Sequence, residues 1–279
     1  MNSLADSLEN HYAPHDLEVA VLNALVAAGK DPDRLVLEDL SAIDEFHIRG
    51  RKATSDLASR LQLNTSTQVL DAGCGLGGAS RYLATEYGCK VTGVDITEPY
   101  CRVATMLAMR LGLADRVSYR HCDALAMPFA DASFDVVWTQ HATMNISDKF
   151  SFYHEILRVL KPGGVLASYD ILSGTGGDVY YPVPWARDTA TSFLVSPKQM
   201  RKVLEDVGFE IEYWQDTTEI GRCWFKRMGD KLRNQGVPPL GIHILLGDDF
   251  QVMAQNQVRN LEEDCISLIE AVVRRPAGS

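Results

Sequence analysis

Four glycines within six positions, Gly73, Gly75, Gly77 and Gly78, separate the apolar run Val69-Leu70-Asp71-Ala72 from the helix-forming run Ala79-Ser80-Arg81-Tyr82-Leu83-Ala84. The order is strand, glycine loop, helix. Glycine allows backbone angles and close approaches that a side chain blocks. The first amides of a helix carry partial positive charge. A ligand can therefore lie directly against this loop. Asp71 repels a phosphate and attracts a cation, so the loop suits a ligand with a positively charged part.

Two cofactors compete for such a loop. Gly73, Gly75 and Gly78 satisfy G-x-G-x-x-G, and Asp95 follows twenty residues after Gly75, the layout of a dinucleotide site with an acid on the ribose. A carboxylate at Asp71 would repel a pyrophosphate, whereas it would attract the ammonium of S-adenosylmethionine. A dehydrogenase reading leaves Asp71 and the segment around Asp123 without a role.

The following segments alternate strand and helix. Lys90–Asp95 predicts a buried strand ending in an acid, with Thr97 placed to cap a helix running to about Leu111. Val117–His121 predicts a third strand and Phe134–Thr139 a fourth. A helix then ends at Leu160-Lys161-Pro162-Gly163-Gly164 and Val165–Ile171 forms a fifth strand. In this order, D-A-G-C-G-x-G-G, G-V-D, C-D-A…P-F, F-D-V-V and L-K-P-G-G resemble the class I S-adenosylmethionine-dependent methyltransferases, from about Gln68 to Asp216.

The resemblance implies an α/β fold: a doubly wound, seven-stranded Rossmann-like sheet in the order 3-2-1-4-5-7-6, with strand 7 antiparallel. Strand 6 falls at Phe209–Trp214, after a helix started by Ser196-Pro197. Cys265–Val273 is assigned to strand 7, since the fold otherwise lacks it and the segment is rich in β-branched residues. The resemblance also implies site roles. Asp71 and the backbone at Gly73, Gly75 and Gly77 hold the methionine part. Asp95 accepts from ribose hydroxyls, Ile96 packs on adenine, and Asp123 accepts from the adenine amino group beside Ala124. As plain residues, Asp95 and Asp123 also suit helix capping. Gln140 opens a segment, Gln140–Ile146, where the family places residues facing the cofactor and the transferred methyl. His141 is the candidate base, since imidazole titrates near neutral pH. Asn145 would share its face if the turn is helical. His47 and Tyr12 are further candidates.

The Q-H-x-x-M-N segment, the F-H-I-R-G-R-K-A-T entry and the insertion before the last strand resemble small-molecule methyltransferases of the sarcosine/dimethylglycine N-methyltransferase type. There is a weaker likeness to phosphoethanolamine and natural-product methyltransferases. Where the phosphoethanolamine enzymes carry Asp and His, this chain has His141 and Asn145, so their catalytic pair does not carry over. The expected reaction is methyl transfer to a small acceptor, an amine nitrogen first and an oxygen or carbon second. A non-catalytic cofactor-binding module is the contrasting reading.

The domain boundaries expected are a helical cap over 1–66, a cofactor-binding core over 67–216, a helical lid over 217–263, and the last strand and tail over 264–279. A helix is predicted from His15 to Gly29, and the segment Ile43–Thr54 leads into another that runs to about Leu63. Ser173–Val195 and Thr217–Glu263 begin near the carboxyl rim of the sheet, where doubly wound folds bind ligands, and are read as a lid. Their aromatics, among them Tyr180, Tyr181, Trp185, Phe193, Trp224 and Phe225, together with Trp214, wall a pocket or fill the lid's own core.

The net charge of −10 argues against a nucleic-acid partner; Arg49, Arg51 and Lys52 are the best candidate basic patch. No stretch reaches the roughly 18 apolar residues of a membrane helix, and the polar, acidic Met1–Asn10 does not read as a signal peptide. Six scattered cysteines without C-x-x-C predict neither disulfides nor zinc and fit a reducing cytoplasm. No metal site is expected, and a homodimer is compatible with the chain.

Overall fold

The computed structural model describes residues 17–278; Tyr12 and the first residues of the predicted His15 helix lie outside them. The seven strands are β1 (Gln68–Ala72), β2 (Lys90–Asp95), β3 (Val117–His121), β4 (Phe134–Gln140), β5 (Leu160–Ser173), β6 (Glu210–Asp216) and β7 (Ile266–Arg274). They pair in one sheet, β3-β2-β1-β4-β5-β7-β6. β1 to β5 run parallel, and β7 is antiparallel to both neighbours. Central β4 and β5 are buried along most of their length, as apolar strands covered on both faces must be.

Helices α1 (Leu17–Ala27), α2 (Ser41–Asp44), α3 (Arg51–Ala58), α4 (Gly78–Tyr87), α5 (Glu98–Arg110), α6 (Lys149–Val159) and α7 (Pro197–Val207) flank the sheet. After β6 come α8 (Thr218–Gln235), α9 (His243–Leu246) and α10 (Phe250–Glu262). Ser196 caps α7 through a reciprocal bond pair with Gln199, the pattern read from Ser196-Pro197. Three local readings differ. Thr97 occupies the N-cap of α5 but makes no side-chain capping bond; Asp95 Oδ1 accepts the Thr97 amide instead, at 2.8 Å. α3 stops at Ala58, short of Leu63. β5 extends beyond Val165–Ile171 at both ends, because Leu160 pairs with Phe134 of β4 at its start and Leu172 and Ser173 pair with β7 at its end.

The entry segment between α2 and α3 crosses the start of α4. At Gly78 an added Cβ would stand 2.1 Å from the Asp44 carbonyl oxygen, so no side chain fits where the two cross. Arg81 on α4 is fully buried and forms an ion pair with buried Asp44. It also donates to the Leu76 carbonyl at 2.6 Å. The supposed basic patch is neutralised: Arg49 pairs with Glu270 and Asp56, Arg51 with Glu45 and Asp44, and Lys52 with Asp56.

A buried ion pair that loses one partner leaves a buried charge, which costs about 3–5 kcal/mol. Asp44→Ala is therefore expected to lower unfolding free energy in urea by about that amount. The double variant Asp44→Leu/Arg81→Met should recover most of it. Equal losses in the single and double variants would show that the pair's charge is not what matters.

Candidate active site

A cavity of about 1560 Å³ runs along the carboxyl rim of the parallel strands. That exceeds the roughly 300–1,000 Å³ of a pocket for one small ligand and leaves room for two. One end is built by the tips of β1, β2 and β3. Asp71, Gly73 and Gly75 line it, as do Asp95, Ile96, Asp123 and Ala124. Gly77 does not belong to this wall. It is in left-handed conformation at the N-cap of α4, and an added Cβ would collide with the Tyr119 ring at 2.3–2.6 Å. Gly73 is required for a similar reason, since a Cβ there would stand 2.5 Å from the Ala142 methyl. At Gly75 nothing lies within 4 Å of the added Cβ; that glycine faces open space.

The carboxylates at this end are held before any ligand arrives. Asp95 Oδ2 accepts the Gly75 amide and Oδ1 the Thr97 amide, each at 2.8 Å. Asp95 thus braces the loop and starts α5 while lining the cavity. Asp123 Oδ1 accepts the Leu125 amide at 2.8 Å. Asp71 is buried, and Ser80 donates to its Oδ2 at 2.6 Å. Burial pushes the Asp71 pKa up to about 7, against the Ser80 bond that lowers it. A buried carboxylate in that condition is stabilised by a cation placed beside it, so the donor set at this end fits a ligand with an ammonium group, hydroxyls and an amine.

The turn after β4 sits against the glycine loop through Ala142. Gln140 Oε1 accepts from Trp138 Nε1 at 2.9 Å and from Thr54 Oγ1 at 3.1 Å. Indole can only donate, so the Gln140 oxygen must face it. Its Nε2 is then left buried without a partner in a residue that lines the cavity. His141 has φ 49°, a strained angle for a non-glycine residue, and its amide donates to the Tyr169 carbonyl at 2.8 Å. Its Nε2 is also buried and unpartnered. Burial, followed by the neighbouring His47, holds the His141 pKa well below 6.5.

Asn145 lines the cavity together with His141. Its Nδ2 donates to the Trp185 and Thr191 carbonyls at 2.8 and 2.7 Å, which ties the turn to the segment after β5. Lys149 makes the same tie from α6: its buried Nζ donates to the carbonyls of Thr143, Ile146 and Phe193. His47 lies near His141, with ring centroids 5.8 Å apart. Its Nε2 is engaged by Glu45 Oε2 at 2.9 Å. Burial raises the Glu45 pKa, but His47 and Arg51 more than offset this and hold it at about 2. Glu45 and Thr54, both at this junction, carry no motif. They come from a segment far from β4 in sequence, so spacing does not mark them. The F-H-I-R-G-R-K-A-T entry was the one available signal.

The far end of the cavity belongs to α8, α9 and α10. Trp185, Trp224 and Phe225 line it, whereas Tyr180, Tyr181, Phe193 and Trp214 do not. Trp214 packs with the core on the other face of the sheet, and the Tyr180 ring carries the Arg259 guanidinium at 3.5 Å.

Comparison with known proteins agrees with this geometry. A family model described as a methyltransferase domain matches residues 70–168. Methyltransferase GfsG of Streptomyces halstedii is 38% identical over 142 residues, which is 50% of this chain and 51% of that protein. A sterol 24-C-methyltransferase of Eremothecium gossypii is 35% identical over 80% of this chain and 60% of that protein. The chain thus spans about half to three-fifths of the length of these two curated relatives. Among solved structures, the [4+2]-cyclase SpnF superposes with a TM-score of 0.68 at 24% identity, covering 96% of this chain and 99% of that one; this likeness speaks for the fold. Over residues 70–168 the chain is thus similar to a methyltransferase domain, and its sheet has the fold of that solved structure.

Proposed function

We propose that this protein transfers a methyl group from S-adenosylmethionine to a small-molecule acceptor held under the α8–α10 lid, with His141 as the proton acceptor. The observation that carries the reading is one continuous cavity, with Asp71, Asp95 and Asp123 at one end and the unpartnered His141 Nε2 on its wall. When bound, S-adenosylmethionine supplies a methyl group activated by a positive sulfur.

The chain's own residues do the rest by positioning. Asp71 would receive the ammonium group, Asp95 the ribose hydroxyls and Asp123 the adenine amine, with Ile96 and Ala124 beside the ring. Gln140 Nε2 offers a donor at the junction of the two ends. His141, uncharged above pH 6.5, presents a free nitrogen that can take a proton from the acceptor as its nucleophilic atom is methylated. His47, bound to Glu45, packs beside the His141 ring and lacks the free nitrogen that His141 has. Asn145 and Lys149 hold the turn in place.

Four expected regions follow from the same reading: a cap over 1–66, the core over 67–216, the lid over 217–263 and the closing strand over 264–279. A cytoplasmic location and the absence of a nucleic-acid partner are supported by six free cysteines and by the net charge of −10. Among the described residues, no helix is long and apolar enough to cross a membrane. A homodimer remains compatible with this reading.

Calorimetric titration with S-adenosylhomocysteine and NADH tests the cofactor. The adenosyl ligand should bind and NADH should not; the reverse preference overturns the reading. Asp95→Ala removes a carboxyl acceptor from two hydroxyls, worth about 1.5–3 kcal/mol per bond. Its affinity for S-adenosylhomocysteine should fall at least about hundredfold while cooperative unfolding persists. Because Asp71 is protonated below about 7 in the free protein, affinity should weaken as pH falls through 7. Asp71→Asn should flatten that dependence.

His141→Ala should lower turnover by about 10²–10⁴ with little change in cofactor affinity. In the wild type the acid limb of kcat should lie below pH 6.5, since the depressed pKa keeps the ring neutral above it. Asn145→Ala should act on stability instead, losing about 1–3 kcal/mol from unpaired carbonyls. Loss of turnover without loss of stability would return Asn145 to the catalytic group.

A further inference from the structure

Helix α8 has an apolar face that the described chain covers only in part: Trp224 and Phe225 touch the core while still opening onto the cavity. Its buried residues are Thr218 and Gly221, both in the first turn. That turn is pinned to β7: Thr218 Oγ1 accepts the Leu268 amide at 2.9 Å, and a Cβ on Gly221 would strike Leu268 at 2.4 Å. Beyond it, Trp224, Phe225, Met228 and Leu232 are each half-buried and line the cavity. At about 100° per residue they fall within one arc of about 100°. Phe250, Ala254 and Val258 on α10 do the same from the other side, within about 80°. Apolar helix faces are normally buried against a core. Here two of them bound the same open volume, beyond the end where the carboxylates stand.

The charges around that volume are informative. Lys231, Arg233, Arg259 and Glu262 reach its wall, but Arg233 is paired with Asp230 and Arg259 with Glu263. Glu45 and Asp44 also line the cavity but are bound to His47, Arg51 and Arg81. A small zwitterionic or cationic amine would thus leave the apolar walls wet and gain nothing from them. Desolvating its ammonium there would be uncompensated.

We infer that the acceptor is a bulky, apolar, non-cationic molecule whose body covers the inner faces of α8 and α10 and whose methylated atom is a hydroxyl oxygen beside His141. This rests on the methyltransferase reading above and deepens it. The hydroxyl gives up its proton to the free His141 nitrogen, its oxygen forms the new bond to the methyl carbon, and the carbon–sulfur bond breaks with its electron pair left on sulfur. It also displaces a sarcosine-like amine as the expected acceptor, because the walls that would hold a substrate are hydrocarbon.

The test uses the full chain saturated with S-adenosylhomocysteine and titrated with 4-octylphenol, 4-octylbenzylamine and sarcosine. The first two share an apolar body and differ in a neutral hydroxyl against an ammonium. 4-Octylphenol should bind at least about tenfold tighter than the amine, and sarcosine should not bind. Phe225→Asp and, separately, Met228→Asp should weaken 4-octylphenol binding at least about tenfold and leave S-adenosylhomocysteine affinity within about twofold. Thermal unfolding identifies a variant that does not fold, in which case the other carries the comparison. Binding of sarcosine, tighter binding of the amine, no binding of 4-octylphenol, or indifference of a folded variant would overturn the inference. Failure of the wild type to bind S-adenosylhomocysteine would instead overturn the methyltransferase reading itself.

Discussion

The guanidinium of Arg81, buried under the glycine loop and paired with Asp44, is the contact on which the site depends. Arg81 belongs to the helix that the loop starts, and Asp44 to the entry segment that precedes the sheet in sequence. Their pairing draws residues 41–58 across the loop, where Gly78 leaves room for the crossing chain. Glu45, His47 and Thr54 arrive at the tip of β4 as a consequence. Arg49, paired with Glu270 on β7, holds the same segment from a second point, and the two pairs together bring His47 to His141 and Thr54 to Gln140. A buried ion pair contributes little net stability by itself; its effect here is to fix which segment covers the cavity.

The cavity divides by polarity along its length. The end under β1 to β3 offers carboxylates whose spare lone pairs suit hydroxyls, an amine and an ammonium. The end under α8 and α10 offers hydrocarbon. His141 stands between them on a turn tied down by Asn145 and Lys149 through backbone carbonyls. Those two side chains spend donors on backbone carbonyls, so the turn that carries the strained His141 backbone is held in place. Rigid support of this kind is what positioning catalysis needs.

Much of this could be read from one dimension. The glycine loop, Asp95, Asp123 and strands β2 to β6 follow local rules of periodicity and turn chemistry, and β2 and β3 fall where the apolar runs place them. Strand order came from likeness to a family, since pairing between strands is not a local property. β7 illustrates the limit: its composition suited a helix as well, and antiparallel pairing with both β5 and β6 decides it as a strand.

The sequence by itself determined where most strands lie, the loop and the kind of cofactor that fits it, because each depends on residues a few positions apart. Tertiary structure alone decided which glycines serve the ligand and which serve packing. Gly75 faces open space, while Gly77 makes room for Tyr119, forty-two residues away in sequence. It also decided that the Asn145 amide ties its turn to the segment after β5, that the Arg49–Lys52 charges are neutralised, and that the apolar face of α8 looks into a cavity. Each of these turns on what lies opposite a side chain in space, and no spacing along the chain records that.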